Sequence, residues 1–172
     1  MSEAPSTRQV FVSYAPFDER HDGRLAALCE RLTDEVRLRT GKDCLFWRDR
    51  ELLEVGADWK ETMDRALKES KVLVAFVTPS YLQSQYCRTE LEHFLKIHSE
   101  SDAEPRVIMI NYVGDMERAG HLTGEGLGGR PLLDWRELRF EPFTSPVMQR
   151  EMSRAADLIG EALEASELTT GP

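Results

Sequence analysis

Few side chains in this 172-residue sequence combine a reactive type with a suggestive spacing. Ser84, Cys87 and Glu90 follow one another at three-residue intervals, inside a stretch that reads as a helix over 84–98. A helix turns by about 100° per residue. With Cys87 set at zero, Leu91, Phe94 and Leu95 fall between about −20° and 80°, and Glu90 falls near −60°. Glu90 therefore lies on the margin of the buried face, whereas Glu92, near 140°, points to solvent. On the residues alone, Glu90 is either a boundary charge or a functional carboxylate. Ser84 is either an N-cap or a polar contact for a ligand. Cys87 faces the core with nothing beside it to favour the thiolate, so it reads as packing.

Other signals are weaker. His21, His93, His98 and His121 do not share a face at ligand spacing, and no metal site is expected. The run GEGLGG (124–129) has the letters of a dinucleotide fingerprint, but no strand precedes it and no helix follows. Three cysteines, Cys29, Cys44 and Cys87, are odd in number and scattered, which suits small buried thiols in a reducing compartment. With 22 Lys and Arg against 31 Asp and Glu, the net charge is −9, and no long basic run offsets it. Nucleic acid is thus not the expected partner. The opening MSEAPSTRQ has no apolar signal core, and no apolar run approaches the roughly 20 residues of a membrane span. The expectation is a cytoplasmic protein with no membrane contact.

The elements that must position these residues alternate. RQVFVSY (8–14) reads as a strand, and residues 21–40 carry Leu25, Leu28, Cys29, Leu32 and Val36 at helical spacing before Gly41. CLFW (44–47) is a short strand, RDRELLEVG (48–56) a charged loop, and 57–69 a helix. KVLVAFV (71–77) is apolar almost throughout, as expected of a strand covered on both faces. Thr78-Pro79-Ser80 ends it, and helix 84–98 follows. RVIMINYV (106–113) is the fourth strand, a glycine-rich loop spans 114–130, and a fifth strand lies near Leu132–Trp135. Helix 146–165 closes the chain. This alternation predicts an α/β, flavodoxin-like, three-layer fold. Its five-stranded parallel sheet has order 2-1-3-4-5 and helices on both faces. The expected organisation is a disordered lead-in (1–7), one domain (8–165) and a flexible tail or truncated linker (166–172). Ligands of such sheets bind beyond the carboxyl ends of the strands, which selects segments 13–20, 47–56, 78–90 and 113–130.

Three of those segments carry a pattern. FVSY (11–14) followed by Asp18 resembles the first box of the Toll/interleukin-1 receptor (TIR) family. LFWRDRELLEVGADWKETMDRAL (45–67) resembles its second strand, BB loop and following helix. VLVAFVTPSYLQSQYCRTEL (72–91) resembles the strand that runs into its Ser-x-x-Cys-x-x-Glu motif, here Ser84, Cys87 and Glu90. The resemblance spans residues 8–165, and its wording is similar to bacterial members more than to animal ones. The Phe-Trp pair of the last animal box has no clear counterpart; FEPF (140–143) occupies its place.

The resemblance implies an enzyme that cleaves NAD+ at the nicotinamide–ribose bond, leaving ADP-ribose or a cyclised form, in defence or cell-death signalling. It implies Glu90 as the catalytic carboxylate, NAD+ as substrate with no separate cofactor, and activation by homotypic assembly. A fused or separate sensor domain is the implied partner. Candidate contacts to NAD+ are Tyr14, Ala15 and Phe17 after the first strand, and Phe46 and Trp47 as stacking surfaces. Arg48 is a candidate for the pyrophosphate, and Ser84 and Cys87 lie beside Glu90. Assembly is assigned to the BB loop, through Asp49, Arg50, Glu51, Leu52, Leu53 and Gly56. The alternative is a non-catalytic TIR–TIR interaction module, for which exposed Leu52, Leu53 and Val55 would seek a partner. Two neighbouring readings fail. A receiver domain needs an aspartate where Val77-Thr78-Pro79 stands, and the motifs of nucleoside deoxyribosyltransferases are not evident.

Overall fold

The computed structural model describes residues 8–48, 59–99, 106–115 and 131–169. Strand β1 (Arg8–Ser13) leads to helices α1 (Pro16–Asp22) and α2 (Arg24–Thr40), then to β2 (Cys44–Arg48). Helix α3 (Trp59–Glu69), β3 (Val72–Val77), α4 (Pro79–Gln83), α5 (Gln85–Ser99) and β4 (Arg106–Asn111) follow. Last come β5 (Leu132–Asp134), a 3-10 turn (Glu137–Phe140) and α6 (Pro146–Thr169). All strand pairs are parallel, in the order β2-β1-β3-β4-β5, as the alternation of apolar runs and amphipathic helices predicts.

The sheet carries a core on each face. Val10, Val12, Tyr14, Phe46, Val74, Phe76 and Ile110 pack against α2 and α6. Phe11, Ala15, Leu73, Ala75, Val77 and Met109 pack on the other side against α3 and α5. The alternation follows from the pleat, which sends successive side chains to opposite faces. Every residue of β3 is buried, which explains why its sequence shows no polar alternation.

Three helix boundaries differ from expectation. The first helical segment starts at Pro16, whose fixed φ suits a first turn, and breaks at Gly23, where φ is +69°. The Gly23 N–H returns to the Glu19 carbonyl and closes α1, so α2 starts afresh at Arg24. A short helix, α4, fills the stretch between β3 and α5. Helix α6 runs to Thr169, past the boundary expected at 165. Among the described residues no helix is long and apolar enough to cross a membrane. The lead-in 1–7, the loop residues Asp49, Arg50, Glu51, Leu52, Leu53, Val55 and Gly56, and GEGLGG (124–129) lie outside the described residues.

Candidate functional site

The site is built where β1 and β3 end. Ser13 is the last residue of β1 and pairs in register with Ala75 of β3. The pleat turns its side chain to the face shared by α3 and α5. Thr78, just beyond β3, caps α4: its Oγ1 accepts the Tyr81 N–H at 3.0 Å. Pro79 occupies the first turn of α4, where its missing N–H is harmless. This short helix carries Tyr81 inward until its hydroxyl lies 3.0 Å from Ser13 Oγ. Ser13 Oγ in turn donates to Glu90 Oε2 at 3.1 Å. Ser13 and Tyr81 are each 0% exposed, and Glu90 is 1% exposed.

Glu90 is thus deeper than the helix margin on which its spacing places it. Among the described residues, Ser13 at the end of β1 lies against Glu90, with Tyr81 of α4 behind Ser13. Helix α5 is held in place from three sides. Ser84 Oγ accepts the Cys87 N–H at 3.2 Å, so Ser84 serves as the N-cap. Cys87, Leu91 and Phe94 are buried in the core beneath the sheet. On the outer side, His93 Nε2 lies 2.6 Å from Asp64 Oδ1 of α3. Hydrogen bonds from Lys68 and His93 hold the Asp64 carboxyl below its ordinary range.

The other candidates separate by face. Trp47 pairs with Phe11 in register and packs, half-buried, on the Glu90 face. Ala15 is buried on the same face. Phe46, one residue earlier, lies on the opposite face in the α2–α6 core, so it does not join Trp47 as a stacking partner for one ligand. Tyr14 is likewise turned to that core, and its hydroxyl donates to Glu19 Oε2 at 2.9 Å. Arg48 pairs with Val12 and borders a cleft of about 430 Å³ beside α2, with Cys29, Thr33, Asp34 and Phe46. The sheet separates that cleft from Glu90.

Phe17 is 59% exposed and stacks on His21 at 6.1 Å. It edges a second cleft, of about 250 Å³, over the carboxyl ends of β1, β3 and β4. Asp18, Thr78, Ser80, Tyr112 and Arg139 also line it. The Arg139 guanidinium stands over the Tyr112 ring at 5.7 Å. Burial pushes the Asp18 carboxyl up from its ordinary range, against the opposing pulls of the Thr78 hydroxyl, His21 and Arg139. Thr78 donates to Asp18 Oδ2 while accepting the Tyr81 N–H. One hydroxyl therefore ties the floor of this cleft to the helix that carries Tyr81.

Sequence reasoning did not single out Ser13, Thr78 or Tyr81. A signal existed for Thr78: Thr followed by Pro is a helix-start pattern as well as a strand stop. Among the described residues, no group of three or more His, Cys, Asp or Glu is placed to hold a metal ion.

A parallel 2-1-3-4-5 sheet with a carboxylate sealed beneath the carboxyl end of its first strand defines a flavodoxin-like domain built around that corner. The TIR domain family model matches residues 10–150, and the chain belongs to the TIR domain family. It is similar to the TIR domains of the activated Roq1 resistosome, which directly recognises the pathogen effector XopQ. The TM-score is 0.50 at 18% identity, over 92% of this chain and 84% of that one. An X-ray structure of an oxidoreductase from Corynebacterium diphtheriae superposes with a TM-score of 0.57 at 15% identity, over 93% and 98% of the two chains. At such identities both likenesses describe the fold alone. A probable cytosol aminopeptidase of Clostridium perfringens (strain 13 / Type A) is 30% identical over 105 residues, or 58% of this chain. The match spans only 21% of that protein's length.

Proposed function

We propose that this TIR domain cleaves NAD+ at the nicotinamide–ribose bond, with Glu90 as the catalytic carboxylate. The observation that carries the reading is the Glu90 carboxylate itself. It sits inside Ser-x-x-Cys-x-x-Glu, beneath the end of β1, and it accepts a hydrogen bond from a buried serine. The chemistry needs little more. The bond breaks with its electron pair going to the pyridinium nitrogen, and nicotinamide departs neutral. No acid is needed to protonate the leaving group, unlike the leaving oxygen of ordinary glycoside hydrolysis. One carboxylate can offset the oxocarbenium charge or orient the ribose hydroxyls. Water then adds to the anomeric carbon and loses a proton, giving ADP-ribose; attack by another group of the same nucleotide gives a cyclic isomer. NAD+ is a substrate in this scheme and no other cofactor is required.

At 1% exposure, Glu90 meets no substrate until the corner opens. That supports turnover gated by assembly, in which homotypic contacts through Asp49, Arg50, Glu51, Leu52, Leu53 and Gly56 remodel the site. A cytoplasmic sensor, fused or separate, would supply the trigger for defence or cell-death signalling. Membership of the TIR domain family supports association of this kind. The burial of that carboxylate is the observation that favours a second reading, a TIR–TIR interaction module that catalyses nothing.

The deciding experiment incubates concentrated or crowded protein with NAD+ and follows nicotinamide release by chromatography. Wild type should release nicotinamide, and Glu90→Ala should abolish the release. Equal release by both proteins removes Glu90 from the mechanism. If neither releases nicotinamide while the wild type still self-associates in sedimentation, the interaction module is the better reading. Arg50→Glu should weaken that self-association, and an unchanged sedimentation profile would count against the loop's role.

A further inference from the structure

We propose that Tyr81 and Ser13 form a directed hydroxyl chain that aims Glu90 and holds it ionised. Both act as positioning residues for the NAD+ reaction; the proposal rests on that reading for its kinetic consequence, but not for its geometry. The direction follows from proton counting. A serine hydroxyl has one proton to give. An ionised Glu90 can only accept, so Ser13 gives its proton to Glu90 Oε2 and the Tyr81 hydroxyl is then the donor in its 3.0 Å contact with Ser13 Oγ. The chain therefore runs from Tyr81 to Ser13 to Glu90, and each bond polarises the next toward the carboxylate.

All three groups are almost fully buried. In such surroundings a carboxylate is driven toward its neutral form, and hydrogen bonds donated to it oppose that drive. A protonated Glu90 would offset no positive charge on the ribose. The chain also fixes direction. Ser13 is anchored in the sheet by its register with Ala75, and Tyr81 is anchored by the Thr78 cap, so Glu90 Oε2 is tied to two separate elements. A carboxylate accepts about four hydrogen bonds. The chain occupies one of those positions on Oε2 and is compatible with Glu90 also accepting from ribose hydroxyls.

The test uses the full chain and two conservative variants, Ser13→Ala and Tyr81→Phe, each of which removes little more than one hydroxyl. The Glu90 carboxyl is titrated by carbon-13 NMR, with its resonance assigned by its loss in Glu90→Gln. Ser13→Ala should raise the midpoint by about one pH unit, the scale of one donated bond to a carboxylate. Tyr81→Phe should raise it by less, because Tyr81 acts through Ser13. In the NAD+ assay, Ser13→Ala should move the acidic limb of the kcat profile upward by the same unit, which lowers kcat about tenfold at pH values on that limb with KM nearly unchanged. A purely structural role would lower thermal stability in both variants and leave midpoint and limb in place, which overturns the proposal. If wild type releases no nicotinamide but the midpoints move as stated, the chain stands and the NAD+ reading alone falls. If nicotinamide is released and neither midpoint moves, the chain falls and the NAD+ reading stands.

Discussion

Thr78→Val tests whether the corner of the sheet is built as described. Valine keeps the shape and β-branching of threonine and removes the hydroxyl. That hydroxyl is 1% exposed as part of its residue and makes two contacts: it accepts the Tyr81 N–H at 3.0 Å and donates to Asp18 Oδ2. Loss of an N-cap costs about 1 kcal/mol. A hydrogen bond to a charged group is worth roughly 1.5–3 kcal/mol when buried. Asp18 is only half-buried, so water replaces part of that bond, and about 1–2 kcal/mol is the appropriate share. The sum is about 2–3 kcal/mol. In a domain of this size each kcal/mol lowers Tm by roughly 2–4 °C, which gives a fall of about 4–12 °C. Calorimetry of wild type, Thr78→Val, Asp18→Ala and the double variant measures both parts. The double-mutant cycle should return a coupling of about 1 kcal/mol between Thr78 and Asp18. The Asp18 carboxyl should also titrate higher in Thr78→Val, because it keeps its burial and loses a donor. A fall in Tm below 2 °C with no coupling would refute the reasoning.

Three further outcomes follow from the same structure. The folded pKa of Asp18 is raised above its ordinary 3.8, chiefly by burial, so its contribution is most favourable below 3.8 and is lost as pH rises through the folded value. Asp18→Asn, whose amide oxygen can still accept from Thr78, should therefore raise Tm at pH 7, by an amount that shrinks on acidification; a pH-independent difference refutes this. For His98, burial lowers the pKa from 6.5, so its contribution is present above 6.5 and lost as pH falls toward the folded value. His98→Gln, which keeps a donor for the Leu67 carbonyl, should flatten the stability profile over that window in denaturant titrations. Gly23 has φ of +69° and nothing within 4 Å of an added Cβ, so Gly23→Ala should cost backbone strain alone. The expected loss is about 1 kcal/mol, or roughly 2–4 °C in Tm, and Gly23→Asn should lose less because Asn tolerates the left-handed region.

The sheet was legible because its signals are long and redundant. An apolar run such as 72–77 leaves little but a strand buried on both faces, and the stripe Leu25, Leu28, Cys29, Leu32 and Val36 leaves little but an amphipathic helix. The corner around Glu90 was legible only in part. Helix α4 has five residues, fewer than two turns, so no periodicity can reveal it. The two hydroxyls on the chain to Glu90 were invisible for a different reason. Ser13 lies 77 positions from Glu90 and 68 from Tyr81, and only the sheet topology brings them together. Phe46 and Trp47 are the opposite case. Strand alternation alone places neighbours on opposite faces, so their separation was available in the sequence once CLFW was read as a strand.

The short helix is the joint on which the site depends. Five residues cannot hold a helix by themselves, because nucleation costs more than so few hydrogen bonds return. The position of α4 is therefore set by what its ends and side chains touch. At its start Thr78 is bound to Asp18, in an open cleft, and within it Tyr81 is bound to Ser13, beneath the sheet. Asp18 and Glu90 are two carboxylates linked through this one element, the first half-exposed and the second sealed. A change at Asp18 alters the Thr78 cap, the cap sets where Tyr81 points, and Tyr81 is the first donor toward Glu90. Thr78→Val should accordingly lower kcat for NAD+ cleavage, as Tyr81→Phe should, although Thr78 bonds to Asp18 and the Tyr81 N–H and not to Glu90. If Thr78→Val loses stability and keeps full kcat, the cap and the carboxylate are independent, and α4 is no more than cover for the core.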